Sequence, residues 1–257
     1  MIFDVNAFIG KWPYWPVASS LAPEVVSELG SYKIGKAAIC STRSVFVNWE
    51  DGNCEAEAAT GAFPDTLVAF ACLGTRELSH AVCDQPYNFE DYAVRGFKGI
   101  RLYPQHHSYH LLFQPFVDEI LEDAAARRWP VLLPLRIIMN WGMPSLDPAL
   151  LAAIVNRHPK VVWILAGVNY LHELQMATSL MRRYPNVNLE TSCVMGFAAS
   201  EKTVQTCGHA QILFGSGAPL QHGGASLSKI LHARISEDAR TAILGDNLHR
   251  LLGECKR

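Results

Sequence analysis

No run of the 257 residues approaches the roughly 18 consecutive apolar side chains of a membrane-spanning helix, so no membrane partner is expected. A dominant charge sign is missing too. The 22 basic residues face 24 acidic ones, a net charge of −2, with no basic stripe to attract nucleic acid or anionic lipid. The seven cysteines (Cys40, Cys54, Cys72, Cys83, Cys193, Cys207, Cys255) include no Cys-x-x-Cys pair and are odd in number. That pattern predicts free thiols in a cytoplasmic protein, not a disulfide frame or a zinc knuckle. Met1–Asn6 enters a strand-like pattern at once, with neither a basic nor a leader-like apolar stretch before it. No Gly-rich phosphate fingerprint follows this first apolar run, which counts against a nucleotide-binding fold. Linkers, low-complexity tracts and charge blocks are lacking, so residues 1–257 are expected to form one domain.

What the chain has is core: 49% of its residues are hydrophobic and 18% charged, which excludes disorder. Its strongest local signal is a repeated junction of basic residues and proline ahead of a short apolar run. Arg127-Arg128-Trp129-Pro130 precedes Val131-Leu132-Leu133, Arg157-His158-Pro159 precedes Val161–Leu165, and Arg182-Arg183-Tyr184-Pro185 precedes Val187–Glu190. Cations suit the negative end of a helix dipole, proline stops the helix, and the apolar run fits a strand covered on both faces. Phe116, Val117, Ile120, Leu121 and Ala124 share one helical face, and Asp147-Pro148 reads as an N-cap with proline behind it. Candidate strands fall near residues 2–8, 37–43, 66–73, 97–104, 131–136, 161–168, 187–192 and 212–217, with an amphipathic stretch closing the chain over 236–252. Eight such units predict an α/β fold of the (β/α)8 TIM-barrel type; the rival is an open doubly wound sheet.

Four segments carry a resemblance. They are Phe3-Asp4-Val5-Asn6-Ala7-Phe8-Ile9-Gly10, Gly96–Pro104, Ile212-Leu213-Phe214-Gly215-Ser216-Gly217-Ala218-Pro219, and Ile243-Leu244-Gly245-Asp246-Asn247 followed by Arg250-Leu251-Leu252-Gly253. In this order they resemble the amidohydrolase superfamily, in its branch of small amidohydrolase-2-like barrels. The resemblance implies hydrolysis, lactone opening or decarboxylation at the carboxyl ends of the strands. It also implies a divalent metal, held by two first-strand histidines, histidines ending strands five and six, and an aspartate ending strand eight. Here those positions read Asn6 and Phe8, Pro134, Gly167 and Gly217. Phenylalanine, proline and glycine side chains offer no donor, so no metal and no cofactor are expected.

Strand alternation places Asn6, Arg101, Tyr103, Arg136, Asn169, Glu190 and Ser192 at the barrel mouth. Two inward guanidiniums need counter-charges: either a small carboxylated ligand gripped by Arg101 and Arg136, or internal carboxylates such as Glu190 and Asp4. Asn6, Tyr103, Asn169 and Ser192 are candidate substrate contacts. His107, in the histidine-rich segment Tyr103–His110, and Glu190 are the candidates for proton transfer. The expected activity is that of a metal-independent hydrolase, of lactone or amide type, or a decarboxylase acting on a small anionic molecule. The alternative is a ligand-binding or assembly protein that kept the barrel without its chemistry. A homo-oligomer is left open.

Overall fold

The computed structural model describes residues 1–74, 89–138 and 144–256, so Cys83 lies outside the described residues. Nine short strands run through the described residues: β1 (Ile2–Ile9), β2 (Ile34–Ser41), β3 (Leu67–Ala69), β4 (Ala71–Leu73), β5 (Ile100–Leu102), β6 (Pro130–Pro134), β7 (Val162–Ala166), β8 (Val187–Glu190) and β9 (Ile212–Leu213). All pairings are parallel, in the orders β1-β2-β3 and β4-β5-β6-β7-β8-β9. β3 and β4 are halves of one stave interrupted at Phe70, whose N–H donates to Ile39 O (3.0 Å) while Ala71 N–H donates to Gly99 O (2.8 Å). The ring closes between the last stave and the first: Val5 N–H donates to Phe214 O (2.9 Å), Gly217 N–H to Asn6 O (2.9 Å) and Phe8 N–H to Ala218 O (2.8 Å). Eight staves with helices between them make a (β/α)8 barrel, and the open sheet is excluded by that closure.

The basic-proline junctions work as the dipole argument requires. The helix Pro115–Arg127 buries Val117, Ile120, Leu121 and Ala124, and Arg128 leaves it in the left-handed conformation at φ 55°. Trp129 N–H then returns to Ala124 O (2.9 Å), which closes the helix end before Pro130 opens β6. Asp147 caps the helix Pro148–Arg157 by accepting from Ala149 N–H at 2.8 Å. No helix among the described residues is long and apolar enough to cross a membrane.

Phe3, Val5, Ala38, Phe70, Leu132, Val162, Ile164, Ala166 and Leu213 form a cluster separate from the main core, with Leu248 and Leu251 of the last helix packed against it. Side chains from so many staves meet only in the barrel interior. Two expectations of alternation fail here. On β7 the interior takes Ile164 and Ala166, while Leu165 joins the outer core with Trp163. On β1 the register shifts between Asp4 and Ala7, so Val5 joins the interior and yet Asn6 and Phe8 also reach the axis. Two strand ends are cut short because the chain turns helical: Arg43 sits in the helix Thr42–Phe46 and Pro104 opens the turn Pro104–His107; β9 stops at Leu213 with no helix directly behind it.

Candidate active site at the carboxyl end of the barrel

Arg101, from the middle of β5, is the largest charged side chain in the interior and is fully buried. Its Nη1 donates to Asn6 Oδ1 (3.0 Å), and its Nη2 faces the carbonyls of Ala38 (2.9 Å), Ala7 (3.2 Å) and Val5 (3.3 Å). The rings of Phe8 and Phe70 flank the guanidinium, with centroids 5.0 and 5.9 Å away. The cation is thus built into the walls of β1 and β2.

Above it, Asn6 Nδ2 donates to Glu190 Oε2 at 3.3 Å, which links Arg101 to the carboxyl group ending β8. Ser192 donates both its hydroxyl (to Oε2, 2.9 Å) and its backbone N–H (to Oε1) to the same group. Burial pushes the Glu190 carboxyl up; the Ser192 bonds oppose it, and the group settles at about 7. Asp4 is fully buried and raised by burial; its Oδ1 accepts from the N–H groups of Asn6 (2.8 Å) and Ser216 (3.0 Å), its Oδ2 from the Ser216 hydroxyl. Lys229 Nζ reaches in from outside the strands to the carbonyls of Ser192 (2.6 Å), Thr191 (2.9 Å) and Val194 (3.1 Å), and fixes the turn that follows Glu190.

Arg136 lies one stave further, 9% exposed, with its fork on Glu173 (Nη1–Oε2 2.7 Å) and a further bond from Nη1 to Gly167 O (2.7 Å). Burial raises Glu173, but the guanidinium and the N–H groups of Asn169 (2.8 Å) and Tyr170 (3.1 Å) outweigh it and hold the carboxyl below its usual range. The internal partner of Arg136 is therefore Glu173, not Glu190 or Asp4. Asn169 is half-buried and enters this network by its backbone. Tyr103 is buried, and burial raises its phenol well above the ordinary value, so it stays neutral. His107 packs against Gly74 and places Nε2 2.9 Å from Ser44 O; burial outweighs that bond and lowers its pKa. Among the described residues no hydrogen bond joins it to Glu190 or Arg101. The structure brings Asn6, Arg101, Glu190 and Ser192 into one network and sets Arg136 with Asn169, and His107, beside it.

Residues 57–253 match the model of the amidohydrolase family. The chain belongs to that family. Its barrel is similar to an uncharacterised TIM-barrel protein from Bordetella bronchiseptica (16% identity, TM-score 0.74, 98% of each chain covered). It is also similar to 2,6-dihydroxybenzoate decarboxylase from Rhizobium (15% identity, TM-score 0.70, 98% of each chain). A third likeness is to 4-oxalomesaconate hydratase from Rhodopseudomonas palustris (12% identity, TM-score 0.68, 99% of this chain and 96% of that one). No curated protein sequence matches the chain.

The residues of this amidohydrolase do not fit a divalent ion at the family's usual positions. Asn6 already uses both ends of its amide, and Phe8 lies under the guanidinium. Gly167 has φ +68°, and a Cβ there would lie 2.1 Å from Arg136 O, so the backbone leaves no room for a histidine. Among the described residues no three His, Cys, Asp or Glu side chains converge on a metal-holding point. Sequence reasoning missed Glu173 and Lys229. Glu173 had a signal: it is the third residue of a helix whose first N–H groups need an acceptor, the place where a glutamate turns back onto the cap.

Proposed function

We propose that this amidohydrolase is a metal-independent hydrolase of small anionic substrates, with Glu190 as the proton-transfer group at the barrel mouth. The observation that carries the reading is a wholly buried carboxyl at a strand's carboxyl end, raised to about 7. Such a group changes protonation near neutral pH, which general acid–base catalysis requires. As a carboxylate it takes a proton from the attacking water and returns it to the leaving oxygen or nitrogen. Its proton can equally replace departing carbon dioxide, so decarboxylation is the other reaction this group serves. Arg101 and Arg136 supply positive potential for a carboxylated substrate, Asn6 and Ser192 hydrogen-bond Glu190, and Tyr103 and Asn169 are proposed as further substrate contacts. No step is assigned to a metal. His107, also a candidate for proton transfer, is given wall packing in this reading, because its Nε2 is held at Ser44 O and no hydrogen bond among the described residues joins it to Glu190. The six described cysteines are all free, which supports a cytoplasmic setting.

Turnover of a panel of lactones, amides and carboxylated aromatic acids tests the reading. With the substrate found, Glu190→Gln is expected to lower kcat by about 10²–10⁴-fold. The native pH profile should have its midpoint near 7. Loss of rate on the acid side marks water activation, and loss on the alkaline side marks proton delivery. A Glu190→Gln variant with native kcat overturns the assignment. The second reading, a binding protein without turnover, is favoured by one observation: the N–H groups that Arg101 and Arg136 bond are all directed to acceptors of the protein itself. Ligand binding without turnover anywhere in the panel would establish it.

A further inference from the structure

The turn after β8 is gathered around a cation. Lys229, in the last turn of the helix Gly223–Leu231, is half-buried, and its Nζ donates to three backbone carbonyls: Ser192 (2.6 Å), Thr191 (2.9 Å) and Val194 (3.1 Å). Three acceptors match the three N–H groups of an ammonium, whereas a neutral amine would set its lone pair against an oxygen. The cradle therefore holds the charged form. No carboxylate of the described residues forms a salt bridge with it, and the carboxyl whose charge it faces is that of Glu190.

The peptide that joins Thr191 to Ser192 lies between the ammonium and Glu190. Its oxygen accepts from Lys229 Nζ, and its N–H donates to Glu190 Oε1. A cation on the oxygen draws electron density along the amide and makes the N–H on the far side a stronger donor, as happens along any chain of hydrogen bonds. Val194 N–H braces the same turn by donating to Thr191 O (3.1 Å), and the Ser192 hydroxyl donates to Glu190 Oε2 (2.9 Å). Among the described residues Glu190 has three donors, and the two from Ser192 stand on backbone that Lys229 grips; the third is Asn6 Nδ2.

The other groups around the carboxyl do not supply this link. Arg101 of β5 reaches it only through the Asn6 amide, and Asp4 of β1 opposes a charge on it. Burial keeps the Cys193 thiol neutral, pushed up to about 11. A Cβ on Gly215 would overlap Oε1, so no side chain enters from β9.

We propose that Lys229 is a positioning residue for Glu190, which aligns and strengthens the Ser192 N–H through the Thr191–Ser192 peptide and so favours the carboxylate form. Its part in turnover rests on Glu190 being the proton-transfer group; the coupling itself does not. Burial drives the carboxyl up, and the Ser192 bonds and the Lys229 charge both oppose it, which is the direction this arrangement requires.

Protein labelled with carbon-13 at the glutamate side-chain carboxyls is titrated by NMR, with the Glu190 resonance assigned by its loss in Glu190→Gln. In Lys229→Met the Glu190 midpoint is expected to rise by about one unit, a roughly fivefold fall in the carboxylate fraction at pH 7. In the native protein the nitrogen-15 resonance of Lys229 Nζ should show a step at the Glu190 midpoint. A folded Lys229→Met whose Glu190 midpoint equals the native one overturns the proposal, and so does a native Nζ without that step. The native arm decides the question if Lys229→Met does not fold. A native Glu190 midpoint at the ordinary value of about 4.3 would refute the proton-transfer reading instead, and the coupling would still be read from the difference between the two proteins.

Discussion

Replacing Arg101 with methionine is expected to destabilise the protein by about 3 kcal/mol, read as a fall in urea-unfolding stability at pH 7. The sign is informative, because a buried guanidinium is costly and its removal can be neutral or stabilising when packing is kept. Here the guanidinium satisfies Asn6 Oδ1 and sits against the carbonyls of Val5, Ala7 and Ala38, all in a dry interior. Methionine fills part of the space between Phe8 and Phe70 but donates to none of the four. A buried acceptor left without a donor costs about 1–3 kcal/mol. An unchanged or raised stability would mean that the arginine is held for a ligand and not for the barrel.

The stability of the native protein is expected to fall by about 3 kcal/mol between pH 5 and pH 8 through Glu190 alone. The carboxyl is raised from the usual range to about 7 by burial, against the pull of Ser192. A raised acid binds its proton more tightly in the folded state. Its contribution is therefore complete below the unfolded value of about 4.3 and is lost as pH rises through the folded one. Other groups titrate over the same interval, so the measurement is a difference: urea unfolding of the native protein and of Glu190→Gln at both pH values. The variant should lack this part of the slope. Parallel pH dependences in the two proteins would place the Glu190 carboxyl in its ordinary range and remove the basis for proton transfer near neutrality.

How far the sequence carried the structure depends on what kind of signal each residue sends. The staves were legible because each helix end announces itself by cation, proline and apolar run, as at Arg127–Val131, and such local chemistry acts within a few residues. The convergence of Asn6, Arg101, Glu190 and Ser192 was legible because alternation holds on β5 and β8. It misled on β7, where Leu165 faces the helices and Ile164 the interior, since a strand of continuous apolar residues does not mark its own face. The partner of Arg136 was missed for another reason. Glu173 belongs to a helix whose first turn is brought beneath the guanidinium only when β7 and its following loop are in place.

We propose that the guanidinium fixed over Phe8 takes the place of a divalent ion in this barrel. Elemental analysis of the protein, purified without chelator and dialysed against zinc or manganese and then against buffer, measures this most directly. No stoichiometric transition metal should remain, and chelator should leave both the unfolding midpoint and turnover unchanged. One tightly retained equivalent per chain, with turnover or stability lost on its removal, would contradict the claim.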